Sequence, residues 1–295
     1  MKSQTKGFLA GLVAYTLWGI FPIYWKFLKH VNSFEIVFHR ILWSFLFLII
    51  ILIFSNQLKD TFSYLKNKIV LKYFFLSSMM IASNWFLYIW AVNSDKILET
   101  SLGYYMAPIF NVIFARILLK ERMTRGKTLA FLLVVLGIIN MMLGLNHLPW
   151  ISITLAITFS YYGFLRKKAA LGSIQGLFIE TFIMGIPSVI YIVYLLATHK
   201  SSFLSVNFTT DILLIMAGPT TAIPLITFAF AARNLQFITL GIMQYIAPTI
   251  AFFIGTFIYK EPFNLKYMIT FIFIWLAIIV YMIDSYTLIN QYKKS

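Results

Sequence analysis

The 295-residue chain contains no cysteine. Disulfides, thiol catalysis and cysteine metal sites are thereby excluded. Its four histidines, His30, His39, His147 and His199, are dispersed without metal-ligand spacing, so no metal site is expected. Charge is scarce, and acidic charge most of all: nine Asp and Glu stand against 24 Lys and Arg, and charged residues make up 11% of the chain. An ordinary soluble domain carries roughly a quarter. A water-facing globule with so little charge could not cover its own surface. No Walker A, HExxH or GxSxG pattern occurs, so the residues support no nucleotide hydrolysis, no catalytic site and no cofactor. The stretch GSIQG at 172–176 is a Gly-bounded loop, not a phosphate cradle. Long polar tracts and Pro-rich linkers are missing too, which leaves no candidate soluble domain.

Apolar residues fill the space. They make up 61% of the chain, and the mean hydropathy is +0.86. They fall in runs of spanning length, about 20 residues each. Ten runs are predicted to cross a membrane: 7–27, 34–54, 72–92, 98–119, 127–145, 148–166, 177–197, 210–232, 238–259 and 266–287. The runs are continuous rather than alternating, which predicts an all-α bundle and not a barrel. The first run is long and holds Trp18, Pro22 and Trp25, which predicts an uncleaved helix rather than a signal peptide.

The net charge of +15 could suggest nucleic acid, but its distribution argues for a membrane. With ten spans and the N-terminus inside, sixteen Lys and Arg fall on the inner face and six on the outer, with Arg40 and Arg116 inside spans. That bias places both termini in the cytoplasm of a cell-membrane protein. Lipid is the expected surroundings, and no nucleic-acid partner is expected.

The segments YMAPIFNVIFARILLKE at 105–121 and YIAPTIAFFIGTFIYKE at 245–261 share Tyr, Ala-Pro and Lys-Glu in one register, 140 positions apart. Five spans separate Pro108 from Pro248, and an odd number reverses direction. The expectation is two inverted five-helix repeats, 1–145 and 146–295. Each proline removes a backbone donor and frees the carbonyl four residues back, at Tyr104 and Gln244. Both helices are predicted to break at mid-membrane, where irregular helices in matching positions mark a binding site.

The chain resembles the RarD subgroup of EamA-type proteins in the drug/metabolite transporter superfamily. The resemblance rests on AYTLWGIFPIYWK at 14–26, HRILWS at 39–44, NWFLYIWAVN at 84–93, LETSLGYYMAP at 98–108, LGIMQYIAPT at 240–249 and YKEPF at 259–263. It implies a ten-helix, two-repeat exporter-like carrier with both termini inside.

Helical spacing gathers polar and aromatic side chains on single faces. Trp18, Asn84, Tyr88, Tyr104, Tyr105, Asn111, Tyr161, Gln244 and Tyr245 are the predicted cargo-lining residues, around the breaks at Pro108 and Pro248. Trp150 and Tyr281 are assigned to the interface or lipid, and Trp25 to an interfacial anchor. Among charged groups, His39, Arg40, Glu99, Arg116 and Glu180 are gating candidates. Arg40 and Glu180 hold matching places 140 apart, so inversion puts them at opposite ends. Arg40 is expected to meet Glu99 or Asp95, and Glu180 to meet Arg116 or the Arg166–Lys168 run. No acidic residue falls at the centre of a span, which argues against a pump built on a central carboxylate. The expected function is a metabolite or drug carrier, exporting small neutral or zwitterionic molecules by alternating access, with a passive channel-like pore or a non-transporting membrane protein as the alternative.

Overall fold

The computed structural model describes residues 2–93, 97–143, 148–258 and 265–294. Among them no strand occurs, and helices lie over every predicted apolar run. They are α1 (Lys2–Phe27), α2 (Ser33–Phe54), the short α3 (Leu58–Tyr64), α4 (Lys68–Asn93), α5 (Ile97–Ile117), α6 (Arg125–Met142), α7 (Trp150–Lys168), α8 (Ser173–Ala197), α9 (Phe208–Asn234), α10 (Phe237–Met243), α11 (Ile246–Phe253) and α12 (Leu265–Lys294), with a π-helical turn at Ile254–Ile258. Side chains satisfy free N–H groups at several starts: Asn32 accepts from Phe34, Thr124 from Lys127 and Asn207 from Thr210.

Among the described residues, seven helical stretches are long and apolar enough to cross a membrane by length and composition. They lie in α1, α2, α4, α6, α8, α9 and the composite Phe237–Ile258. Shorter apolar helices run over Leu102–Ile117 and Met268–Asp284. α7 is more polar because it is enclosed: Ser152, Ser160, Tyr162 and Arg166 all point into the protein. The outer surface tells the same story from the other side. Leu9, Ile50, Phe54, Ile139, Ile190 and Ile283 are exposed, as suits side chains whose solvent is lipid. Trp90 and Trp150 are exposed near helix ends and lie 5.9 Å apart. Tyr281, assigned from sequence to the surface, is instead buried and donates to Thr239 Oγ1 at 2.6 Å. Packing of α12 on α6 turns that face inward.

The helices pair in a regular pattern. α1 packs on α9 and α11, and α7 packs on α4 and α5. α2 packs on α9, and α8 on α4, while α2 meets α8, α6 meets α12 and α5 meets α10. Glycine permits close approach at two of the helix crossings. A Cβ at Gly218 would stand 2.3 Å from the Trp43 carbonyl carbon, where Ser44 Oγ donates to the Gly218 carbonyl at 2.9 Å. A Cβ at Gly241 would press on Asn111 Cβ at 3.0 Å, where α10 crosses α5.

The two proline helices differ. α5 runs without interruption through Pro108, contrary to the expected break. Its counterpart is interrupted at Gln244 and Tyr245, just before Pro248, and ends in the π-helical turn. Neighbouring side chains bond to α5 around Pro108. Ser160 Oγ donates to the Ala107 carbonyl at 2.8 Å, and the Tyr245 phenol to the Tyr105 carbonyl at 3.0 Å. These carbonyls flank the one that Pro108 frees, at Tyr104.

Candidate functional site

The predicted lining residues divide into two groups. The first is a closed joint between α5 and the α10–α11 pair. Asn111 Nδ2 donates to Gln244 Oε1 at 2.7 Å, beside the Tyr245–Tyr105 bond. The Tyr105 ring stands edge-on to Phe271 at 5.6 Å. Tyr105, Asn111, Gln244 and Tyr245 are all buried. Asn84 plays a similar part between α4 and α7: its amide donates to the Leu155 carbonyl at 2.9 Å and to Thr158 Oγ1 at 3.0 Å. Its Oδ1 is buried with no partner. Tyr161 packs edge-on against Phe114 at 5.8 Å.

The second group is an aromatic cluster near Arg40. Trp18 stands edge-on to Phe159 at 5.8 Å, Tyr104 to the same ring at 6.4 Å, and Tyr88 to Tyr104 at 5.7 Å. The Arg40 guanidinium carbon lies 4.7 Å from the Trp25 ring centroid and 4.8 Å from that of Trp85, and Nε donates to Thr221 Oγ1 at 2.9 Å. Trp25 is therefore a partner of Arg40, where the sequence suggested a membrane anchor. Asp95 and the side chain of Glu99 lie outside the described residues. Among the described residues no carboxylate is within ion-pair distance of Arg40.

Of the other charged candidates, Glu180 and His39 are bound up inside the bundle, and Arg116 is exposed. Glu180 pairs with Arg166 at 3.6 Å, one of the two alternatives the sequence left open. Ser77 donates to Glu180 Oε1, and the Tyr162 phenol to Oε2 at 3.2 Å. Arg166 also donates to the Ser173 carbonyl at 2.9 Å. Arg116 lies elsewhere and donates to the Glu121 carbonyl at 2.8 Å. His39 is buried: its Nδ1 accepts from Trp43 Nε1 at 3.1 Å, and its Nε2 is 4.0 Å from Glu35 Oε1. Ser201 Oγ and the Ser202 N–H both donate to that Glu35 oxygen at 2.7 Å. Such enclosed charges persist only where partners replace water.

Sequence reading missed a further clamp. Glu121 accepts the N–H groups of Phe237 at 2.7 Å and Ile238 at 3.1 Å, the free donors at the start of α10. Lys167 Nζ stands 3.7 Å from Glu121, and donates to the Ala232 carbonyl at 3.2 Å. The recurring Lys-Glu pair was the available signal, since it marks a position shared by both segments. A recess of about 300 Å³ lies elsewhere, against Gln57, Gln175 and Thr227, and holds none of the predicted lining residues.

The geometry offers two separable parts, a joint between two similar helices and an aromatic cluster beside Arg40, which has no ion-pair partner among the described residues. Residues 5–143 match the EamA-like transporter family. The chain is 38% identical over 289 residues to Protein RarD of Escherichia coli, covering 96% of each. It is 38% identical over 280 residues to the uncharacterized transporter YojE of Bacillus subtilis, covering 94% of this chain and 93% of that one. A crystal structure with a TM-score of 0.72 covers 96% of this chain and 99% of its own at 15% identity, a likeness of fold alone. The chain belongs to the EamA-like transporter family, as one of its RarD-type proteins.

Proposed function

We propose that the protein is a carrier of ten membrane spans in two inverted repeats, 1–145 and 146–295, which exports small neutral or zwitterionic metabolites, amino acids or drugs. It works in the cytoplasmic membrane with both termini inside. One half rocks against the other, and a central cavity between them opens to each side in turn.

The observation that carries this reading is the α5 joint. Tyr105 and Tyr245, Tyr-Ala-Pro counterparts by register, bond to each other across it. The packing pattern supports the same reading. Exchanging the first five runs for the last five turns the α1–α9 contact into α7–α4, α1–α11 into α7–α5, and α2–α9 into α8–α4. A two-fold arrangement of this kind gives a chain its own central site and two alternative ways to close it. The Glu121–Lys167 clamp on α10 would hold one end shut.

Counterflow in proteoliposomes tests the proposal. Vesicles preloaded with unlabelled cargo should accumulate labelled cargo transiently, with flux saturating as cargo rises. Linear flux without counterflow would indicate a channel and overturn the carrier reading.

A further inference from the structure

Arg40 is a cation with no carboxylate within ion-pair distance among the described residues. It lies about two turns into α2, roughly 10 Å from the helix start. Arg166, also within the bundle, shows the usual arrangement, with Glu180 at 3.6 Å. An intramembrane charge is costly and needs a partner. At Arg40 only Nε is used, by Thr221 at 2.9 Å. The two terminal nitrogens donate to nothing among the described residues, yet they are not among the atoms sealed from water, and the side chain keeps partial solvent access.

The indoles of Trp25 and Trp85, 4.7 and 4.8 Å away, stabilise the guanidinium through their π faces. That attraction leaves the fork of terminal N–H groups unsatisfied. Such a fork matches the two oxygens of a carboxylate. Nearby, Tyr88 is 38% exposed and stands edge-on to Tyr104. Their phenols lie within electrostatic reach of Arg40. They offer a hydroxyl and a ring face to the rest of a small molecule.

We propose that the Arg40 fork is a subsite for the carboxylate of the cargo. Tyr88 and Tyr104 receive its apolar or ammonium part, and the cargo class is monocarboxylates, including zwitterionic amino acids. The assignment to cargo rests on the carrier reading; the binding site itself does not.

The test is direct binding to the purified full-length protein, read by tryptophan quenching and thermal shift. The probes are matched acid and amide pairs: L-phenylalanine and L-phenylalaninamide, L-leucine and L-leucinamide, benzoate and benzamide, with phenyl phosphate as a further anion. At least one acid should bind about tenfold or more tighter than its amide. Arg40→Gln should abolish the preference. Arg40→Lys keeps the charge without the fork and should lose about tenfold, so the test survives a poorly folded glutamine variant. The proposal is overturned if no acid outbinds its amide, if Arg40→Gln keeps the preference, or if phenyl phosphate binds more tightly than benzoate. Acid binding that depends on Arg40, in a protein without counterflow, would keep the site and overturn the carrier.

Discussion

The Tyr245 phenol donates to the carbonyl of Tyr105 at 3.0 Å, and each tyrosine stands at the head of a segment that continues with Ala-Pro and ends in Lys-Glu. The bond ties the interrupted helix pair α10–α11 to the uninterrupted α5. It lies beside the Asn111–Gln244 amide bond, so two hydrogen bonds hold the crossing that Gly241 makes close enough.

The amide pair is expected to be energetically coupled. Asn111→Ala or Gln244→Ala alone leaves a buried amide without its partner and should cost about 1–3 kcal/mol. The double variant should cost clearly less than the sum of the two. Thermal unfolding in detergent measures this. Strict additivity would mean that the two amides do not depend on each other. The same single variants should shift apparent cargo affinity several-fold, whereas Trp150→Phe should not.

Glu180→Gln is expected to lower the amount of protein in the membrane. It leaves Arg166 enclosed without its counter-charge, a loss of about 3–5 kcal/mol. Glu180→Gln with Arg166→Met removes both charges and should recover most of the abundance. Quantitative blotting of membrane fractions decides the matter. Normal abundance of the single variant would show that the pair is dispensable.

Topology can be read with single cysteines, because the chain has none of its own. Ser63 and Ser205 are both exposed. A cysteine at 63 should react with an impermeant maleimide only from the cytoplasm, and one at 205 only from outside. Labelling of both from one side would sink the ten-span arrangement.

The two prolines should differ in their effect on transport. Pro248→Ala restores a backbone donor next to the existing interruption at Gln244–Tyr245 and should reduce cargo flux strongly at normal abundance. Pro108→Ala lies in a helix that is already uninterrupted and should reduce it less. Equal wild-type flux in both would make the interruption incidental to transport.

Much was legible before any coordinates. Scarce charge and long apolar runs dictate helices in lipid, since only internally bonded backbone survives there. Spacing of 140 residues singled out Tyr105 and Tyr245 as counterparts, and they meet. Inversion argued that Arg40 and Glu180 stand apart, and each has other partners. Helical periodicity tells which side of a helix a residue occupies, but not which helix stands opposite. For that reason spacing alone does not show that Tyr281 is buried against Thr239, that Trp25 stands by Arg40, or that α5 continues through Pro108. The solvent, the helices and the positions of the two prolines follow from local composition and spacing. The partner of each buried polar group was decided only by tertiary packing, because that choice depends on which distant apolar faces fit together and so on the whole chain at once.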